Sequence, residues 1–182
     1  MKTESTAKFV MRLTITLLLI TSVVAALLAA VDGITAPKIA ELNEKKTQEA
    51  IEAVLPGGGQ ETDFTDETGL VSKVYKGESG YAVQVTPAGF GGTITMMVGV
   101  DNGGTVLGIS VVSQAETAGL GAICAAGTEK GQTFRGQFVG LSGNVAVTKD
   151  GGQVDAISSA TITSRAVCNG VNAALKCVEA MG

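Results

Sequence analysis

An uncharged apolar segment near the N-terminus constrains the fold of this chain more than any other feature. Residues 13–31 read LTITLLLITSVVAALLAAV. Lys2, Lys8 and Arg12 precede this segment, and Asp32 follows it. A helix over these residues is about 28 Å long at roughly 1.5 Å per residue, which matches the hydrocarbon core of a bilayer. The segment therefore predicts one transmembrane helix.

The charges around this segment predict its orientation. Basic residues on the N-terminal side are typical of the cytoplasmic face, so we expect residues 1–32 to form a cytoplasmic tail and a single-pass helix in the inner or plasma membrane. A cleaved signal peptide is the alternative, because Val24-Ala25-Ala26 offers small residues for cleavage. The apolar run continues past that point, which favours a retained helix. Both interpretations make the remainder of the chain extracytoplasmic.

Composition excludes several classes of function. A formal net charge of −4 over 182 residues argues against nucleic-acid binding, which needs a basic surface. The chain has no His, which excludes His-based catalysis and His-containing metal sites. Its three cysteines, Cys124, Cys168 and Cys177, form no C-x-x-C motif and are too few for an ordinary iron–sulfur cluster. We expect no metal site and no catalytic residue; the cysteines are buried apolar residues or include a Cys124 disulfide. A redox role would require an organic cofactor.

The segment after the transmembrane helix predicts a stalk. Asp32-Gly33 is expected to break the first helix, and Pro37 suits the first turn of a second one. That second helix covers residues 38–55 and ends at Pro56 and the glycines after it. Residues 33–74 are therefore expected to form a stalk or linker.

Residues 75–182 predict an extracytoplasmic α+β domain. Alternating or β-rich runs predict strands near Val71 and at 81–85, 93–100, 105–113, 145–147 and 154–157. A hairpin turn is expected at residues 101–104, which read DNGG. An amphipathic helix over roughly 163–180 closes the chain. This order predicts a curved antiparallel β-sheet packed with helices.

Residues 155–165, which read DAISSATITSR, carry the strongest chemical signal. A short strand ends at Ile157, a turn of small residues follows, and a helix opens near Thr161. The start of a helix offers N–H groups and the positive end of its dipole, both of which suit a phosphate. Arg165 adds a cation. Hydroxyl groups come from Ser158, Ser159, Thr161, Thr163 and Ser164. Because Ser and Thr before a helix are usually N-caps, the pattern alone leaves that alternative open.

This segment resembles the flavinylation motif D-x-x-(S/T)-G-A-T of the FMN-binding subunits of the Rnf and Nqr respiratory complexes. Asp155, Ser158, Ala160 and Thr161 match the motif. Ser159 stands where glycine is usual, and glycine adopts positive φ more readily than serine does. In that family a dedicated FMN transferase takes FMN from FAD and esterifies its phosphate to the final threonine. The resemblance thus implies covalent FMN on Thr161. The length of the chain favours the G subunit of Rnf over its longer Nqr counterpart.

Two further regions resemble the same family. Residues 116–121, which read ETAGLG, resemble its E-T-P-G-L-G loop, with Ala118 in place of Pro. In the family this loop lies against the flavin, which implies contacts from Glu116, Thr117 and Leu120; a simple glycine-rich loop is the alternative. The segments Phe90-Gly91-Gly92 and FRGQF (residues 134–138) also resemble family patterns, and we expect their phenylalanines to be packing residues.

The resemblance implies an electron carrier that is not catalytic alone. It would be one part of a membrane complex that moves electrons between ferredoxin and NAD and is coupled to Na⁺ or H⁺ translocation. The implied partners are the other subunits of the complex, the membrane and the FMN transferase. No strand here leads into G-x-G-x-x-G, so NAD would bind elsewhere. Two alternatives remain: a scaffold or assembly subunit in which Ser159 abolishes flavinylation, and a stand-alone exported FMN-binding domain that serves a reductase.

Overall fold

A computed structural model describes residues 6–181, and the chain divides into two compact units, Met1–Glu44 and Lys45–Gly182. Helix α1, Thr6–Val54, contributes to both units. In the first unit every residue from 8 to 44 is exposed, including the leucines, isoleucines and valines of the apolar segment. Among the described residues, α1 is the one helix long and apolar enough to cross a membrane. A helix that is apolar on all sides is typical of a membrane span.

The expected break in this helix is wrong. Helix α1 runs without interruption through Asp32 and Gly33 and contains Pro37 in its interior. A glycine costs a helix only about 1 kcal/mol and a proline about 3 kcal/mol. Alanines and leucines before Gly33, and alanines, leucines, lysines and glutamates after Pro37, are strong helix formers, and we attribute the continuity to them. The expected end near Pro56 is confirmed, and a turn with positive φ at Gly57 and Gly58 follows.

Five antiparallel strands form one sheet in the second unit, in the order of the chain. The strands are β1 (Gln60–Thr62), β2 (Val71–Lys76), β3 (Gly80–Val85), β4 (Thr95–Asp101) and β5 (Val106–Ser113). The hairpin expected between β4 and β5 is present. The Asp101 carboxylate accepts hydrogen bonds there from the backbone N–H groups of Gly103 and Thr105, and Gly104 has a φ of 77°.

Both faces of this sheet are covered, which explains why residues 96–100 of the central strand β4 are all buried. On one face Val83 and Val98 pack in a core with helix α3, Thr161–Met181. On the other face the end of α1 packs against Ala82 and Met97. The contributing α1 and following residues are Ala50, Ile51, Val54 and Leu55. The result is an α+β domain of antiparallel strands packed with helices, as the sequence predicts.

The connection between β5 and α3 contains helix α2, Glu129–Gly136, and two short 3₁₀ turns, Gly121–Ala125 and Thr148–Asp150. Phe134 and Phe138 are buried with ring centroids 5.4 Å apart and planes at 79°, so their expected packing role is confirmed. Residues 145–147 and 154–157 do not form strands.

Only an isolated parallel bridge joins Val147 to Val154. Both side chains are buried, so the apolar pattern there reports burial rather than pairing. A 3₁₀ turn begins directly after Val147 and leaves no room for a longer ladder.

The three cysteines are free thiols, and all are buried. Burial raises the pKa of Cys124 and of Cys168 to about 11, and it also raises the pKa of Cys177. Their expected role as small buried residues is confirmed.

Candidate functional site

A cavity of about 420 Å³ lies beside the N-terminus of α3. Three segments line it: the loop between β3 and β4, which contributes Phe90; the loop after β5, at residues 116–121; and the start of α3, at residues 159–163. The fold therefore brings the two regions singled out in the sequence to one place. Glu116, Thr117 and Leu120 lie on one side, and Ser159, Ala160 and Thr161 lie on the other.

The side chain of Ser164 fixes the turn that leads into α3. Its hydroxyl donates to the carbonyl of Ala160 at 3.0 Å and accepts from the N–H of Ile157 at 2.9 Å. Backbone hydrogen bonds close the same turn, from the N–H of Ala160 to the carbonyl of Ile157 and from the N–H of Ser164 to the carbonyl of Ala160. The first helical residue, Thr161, is thus held on a well-defined turn.

Ser159 adopts the left-handed conformation at the tip of this turn. Its φ is 62°, and among residues 6–181 it is the only residue other than glycine with a positive φ. This conformation costs an L-residue roughly 1–2 kcal/mol. Glycine would adopt it without that cost, so the turn has the geometry for which glycine is suited, and serine reproduces it.

Thr161 is half-buried at the rim of the cavity and accepts a hydrogen bond from the ammonium group of Lys149, with Nζ 3.5 Å from Oγ1. Asp155 and Ser158 are exposed and are not part of the cavity lining. The backbone of Asp155 is held by Gln137, whose amide accepts from the N–H of Asp155 at 2.7 Å and donates to its carbonyl. Two residues of the motif therefore face solvent.

Glu116 joins the three segments that surround the cavity. One carboxylate oxygen accepts a 2.5 Å hydrogen bond from the hydroxyl of Thr163, and the other accepts from the N–H of Gly91 at 2.8 Å. A Cβ at Gly89 or at Gly121 would overlap the carboxylate of Glu116. The glycines on either side of this carboxylate thus make room for it, an arrangement that sequence reasoning missed.

Two cations lie near the start of α3, and Lys149 is the one that forms a hydrogen bond with Thr161. Arg165 forms two 2.7 Å hydrogen bonds with the carboxylate of Asp150. The hydrogen bond from Arg165 lowers the pKa of Asp150, and the one with Asp150 raises the pKa of Arg165. The sequence suggested Arg165 as the cation for a phosphate, whereas the structure pairs it with Asp150 and brings Lys149 to Thr161.

Three apolar side chains border the cavity and remain exposed: Phe90 at 70%, Ile162 at 52% and Leu120 at 41%. The expectation that Phe90 is a packing residue is wrong, because its ring is mostly exposed. Its glycine neighbours bring the backbone onto the loop after β5, since Gly91 bonds to Glu116 and lies against Ala115, and the ring is left outside. An apolar rim of this kind suits a flat aromatic ligand.

A second cavity of about 770 Å³ is larger but lacks the residues of either motif. Its lining includes Asn102, Asn144, Asn169 and Asn172 and the last turns of α3. Size alone would favour it. The smaller cavity is the better candidate because a hydroxyl at a helix N-terminus, a cation and an apolar rim meet there.

Comparison with known proteins gives the family. Residues 89–176 match the FMN-binding domain. The G subunit of an ion-translocating oxidoreductase complex from Methanosarcina acetivorans is 34% identical over 192 residues, which cover 97% of this chain and 98% of the relative. A relative of the same name from Photorhabdus laumondii is 31% identical over 86% of this chain and 84% of its own length.

A third relative has a more specific name. It is the G subunit of the Na⁺-translocating ferredoxin:NAD⁺ oxidoreductase complex of Acetobacterium woodii, and it is 30% identical over 93% of this chain and 91% of its own length. The cavity residues all fall within the part that matches the FMN-binding domain. The chain therefore belongs to the family of G subunits of ion-translocating oxidoreductase complexes.

Proposed function

We propose that this chain is the electron-carrying subunit of a membrane-bound ferredoxin:NAD oxidoreductase complex and holds one FMN covalently through a phosphoester at Thr161. One observation carries the proposal: the Thr161 hydroxyl lies at the rim of the cavity, on the first residue of α3 and beside the ammonium group of Lys149. The name of the Acetobacterium woodii relative supports the proposal that the complex acts on ferredoxin and NAD.

Thr161 is the best acceptor among the hydroxyls of this segment. Thr163 and Ser164 are buried, and each is already engaged in hydrogen bonds. Ser158 lies outside the cavity lining. Ser159 is exposed at the tip of the turn, where its strained backbone already has a structural role. Thr161 combines access to the cavity with the favourable dipole of the helix terminus.

The residues present fit FMN. The cavity volume lies within the range of small-molecule sites. Phe90, Leu120 and Ile162 offer apolar surface for a ring system, and the start of α3 offers N–H groups and a positive dipole for a phosphate. FMN, when bound, supplies one- and two-electron redox chemistry. The protein supplies the tether, the apolar rim and the compensating positive charge.

The attachment reaction implied by the family is a phosphoryl transfer from FAD, catalysed by a separate FMN transferase. The Thr161 oxygen attacks the phosphorus of the FMN half, and a new O–P bond forms. The bond to the AMP half breaks, AMP leaves, and the hydroxyl proton passes to a base of the transferase or to water. Thr161 then serves as an attachment point and takes no part in electron transfer. The exposed Asp155 and Ser158 are available for contact with the transferase.

Covalent attachment suits a carrier whose cavity is open and small. A weakly held cofactor would be lost by dilution, whereas a tether keeps it at high effective concentration regardless of contact area. Attachment through phosphate leaves the redox-active ring unsubstituted. Helix α1 would keep the carrier at the membrane, and Lys8 and Arg12 before the apolar run favour a cytoplasmic N-terminus and an extracytoplasmic domain.

The test produces the natural chain and its variants together with the FMN transferase and compares their flavin fluorescence on a denaturing gel under ultraviolet light. We expect a fluorescent band from the natural chain and none from Thr161→Ala, with an unchanged band from the control Thr133→Ala on α2. Absence of fluorescence from the natural chain would favour the scaffold alternative. Copurification of the fluorescent chain with other subunits from its native membrane would disfavour the stand-alone domain.

A further inference from the structure

We propose that Lys149 is a positioning residue that forms an ion pair with the phosphodiester on Thr161. The inference rests on the proposed attachment of FMN at Thr161. It starts from one contact: the Lys149 ammonium group lies 3.5 Å from Thr161 Oγ1. That distance is long for a hydrogen bond and the partner is neutral, so the cation lacks a strong partner there.

The position of Lys149 is set by the turn that carries it. Lys149 is the middle residue of the 3₁₀ turn Thr148–Asp150. The N–H groups of Asp150 and Gly152 both donate to the carbonyl of Val147, and a Cβ at Gly152 would overlap the backbone of Ala146. The hydrogen bond from Asp150 thus holds the backbone of Lys149 within the turn.

The ion pair between Asp150 and Arg165 docks this turn on α3. Its two 2.7 Å hydrogen bonds form a bidentate contact, which fixes orientation as well as distance. Arg165 lies one helical turn after Thr161, so the clamp brings the residue before Asp150 to the start of the helix. Arg165 is engaged in this clamp, and Lys149 has no salt bridge within the described part of the chain. The free cation at the helix start is therefore Lys149.

A phosphoryl group on Thr161 would supply the missing partner. The nonbridging oxygens of a phosphodiester carry one negative charge and lie one bond beyond the phosphorus. The ammonium group sits on a flexible four-carbon stem and has three donors, so it can follow an anion attached to the atom it already contacts. A charge-assisted hydrogen bond is shorter and stronger than the present contact to a hydroxyl. The ion pair would limit how far the tethered cofactor swings away from the cavity.

The experiment uses the full chain loaded with FMN and three variants: Lys149→Gln, Lys149→Arg and the control Lys176→Gln. Lys176 is an exposed lysine on α3, about 22 Å along the helix from Thr161 at roughly 1.5 Å per residue. The readouts are the ³¹P resonance of the phosphodiester at low and high salt, the anisotropy of flavin fluorescence and the initial rate of attachment. Circular dichroism verifies that each variant is folded.

We expect Lys149→Gln to shift the ³¹P resonance, remove its salt dependence, lower the anisotropy and slow attachment about two- to fivefold, the factor typical of an exposed ion pair. Lys149→Arg should restore these properties, and Lys176→Gln should match the natural chain. A folded Lys149→Gln variant that matches the natural chain in resonance and anisotropy would overturn the inference and leave the attachment at Thr161 intact. A natural chain that acquires no FMN would overturn both.

Discussion

The hydroxyl of Thr163 donates a 2.5 Å hydrogen bond to the buried carboxylate of Glu116, which lies 47 positions earlier in the chain. The second oxygen of that carboxylate accepts from the N–H of Gly91. One side chain thus joins the loop between β3 and β4, the loop after β5 and the start of α3. These are the three segments that surround the cavity, so Glu116 fixes the shape of the candidate flavin site.

Replacing Glu116 by alanine should destabilise the domain. The Thr163 hydroxyl and the Gly91 N–H would lose their common acceptor, and a buried donor without a partner costs about 1–3 kcal/mol. Glu116→Gln keeps one oxygen acceptor and should cost less. Urea unfolding followed by circular dichroism measures both changes, with Glu67→Ala at an exposed position as the control. Equal stability of Glu116→Ala and Glu67→Ala would contradict the role given to this carboxylate.

Replacing Gly121 by alanine should disturb the same contact from the other side. The added Cβ would overlap both the Glu116 carboxylate and the Thr163 hydroxyl, and overpacking of this kind costs about 1–3 kcal/mol. The flavin fluorescence of the chain produced with the FMN transferase should also change, because Gly121 lines the cavity.

Gly127→Ala is the matched control for this substitution. A Cβ at Gly127 has open space around it, and its φ is not positive. It should leave both stability and spectrum close to those of the natural chain. If Gly121→Ala behaves like Gly127→Ala, the close packing around Glu116 is not needed for the site.

The conformation of Ser159 predicts a graded response to substitution. Ser159→Gly relieves roughly 1–2 kcal/mol of left-handed strain, but it also makes the unfolded chain more flexible, so stability should change little and attachment of FMN should persist. Ser159→Val places a β-branched residue at positive φ and should destabilise the turn by about 1–3 kcal/mol. Its fraction loaded with flavin, measured by absorbance after purification, should fall. Equal loading of both variants would count against a requirement for this turn.

The buried thiols predict both low reactivity and a pH effect. Burial raises the pKa of Cys124 and Cys168 from about 9 to about 11, so the native chain should resist iodoacetamide at pH 8 while the urea-unfolded chain reacts at all three cysteines. Between pH 9 and pH 11 the unfolded thiols lose protons that the folded ones keep, and stability should therefore fall as the pH rises.

A double variant separates this effect from other titrations in the alkaline range. Cys124→Ala with Cys168→Ala removes both buried thiols, so its free energy of unfolding should decline less between pH 9 and pH 11. Rapid labelling of the folded natural chain, or an identical decline in the double variant, would disagree with the burial of these thiols.

Local patterns predicted the parts of the fold that depend on neighbouring residues. Alternation in β3, the DNGG turn between β4 and β5 and the amphipathic face of α3 each follow from a few consecutive residues, and all are present. The strand predicted at residues 145–147 is absent because burial, not strand pairing, sets their apolar pattern. The new helix predicted to start at Pro37 is absent because the helix formers around this proline outweigh its preference for the first turn of a helix.

The contacts that shape the site depend on tertiary structure, which explains why the sequence did not reveal them. Glu116 and Lys149 meet the start of α3 only after the chain has folded, and neither contact has a fixed spacing that a pattern could express. The Phe-Gly-Gly pattern led us to expect a packing role for Phe90, but the backbone contacts of its loop leave the ring exposed. The motif singles out Thr161 as a candidate, and only the fold shows which side chains surround it.

The intact mass of the natural chain, purified from the membrane after production with the FMN transferase, is a direct measure of covalent FMN attachment at Thr161. We expect an increase equal to one FMN less one water, located on Thr161 by fragmentation and absent from Thr161→Ala. A mass equal to that of the bare polypeptide, or an increase located on any other residue, would contradict it.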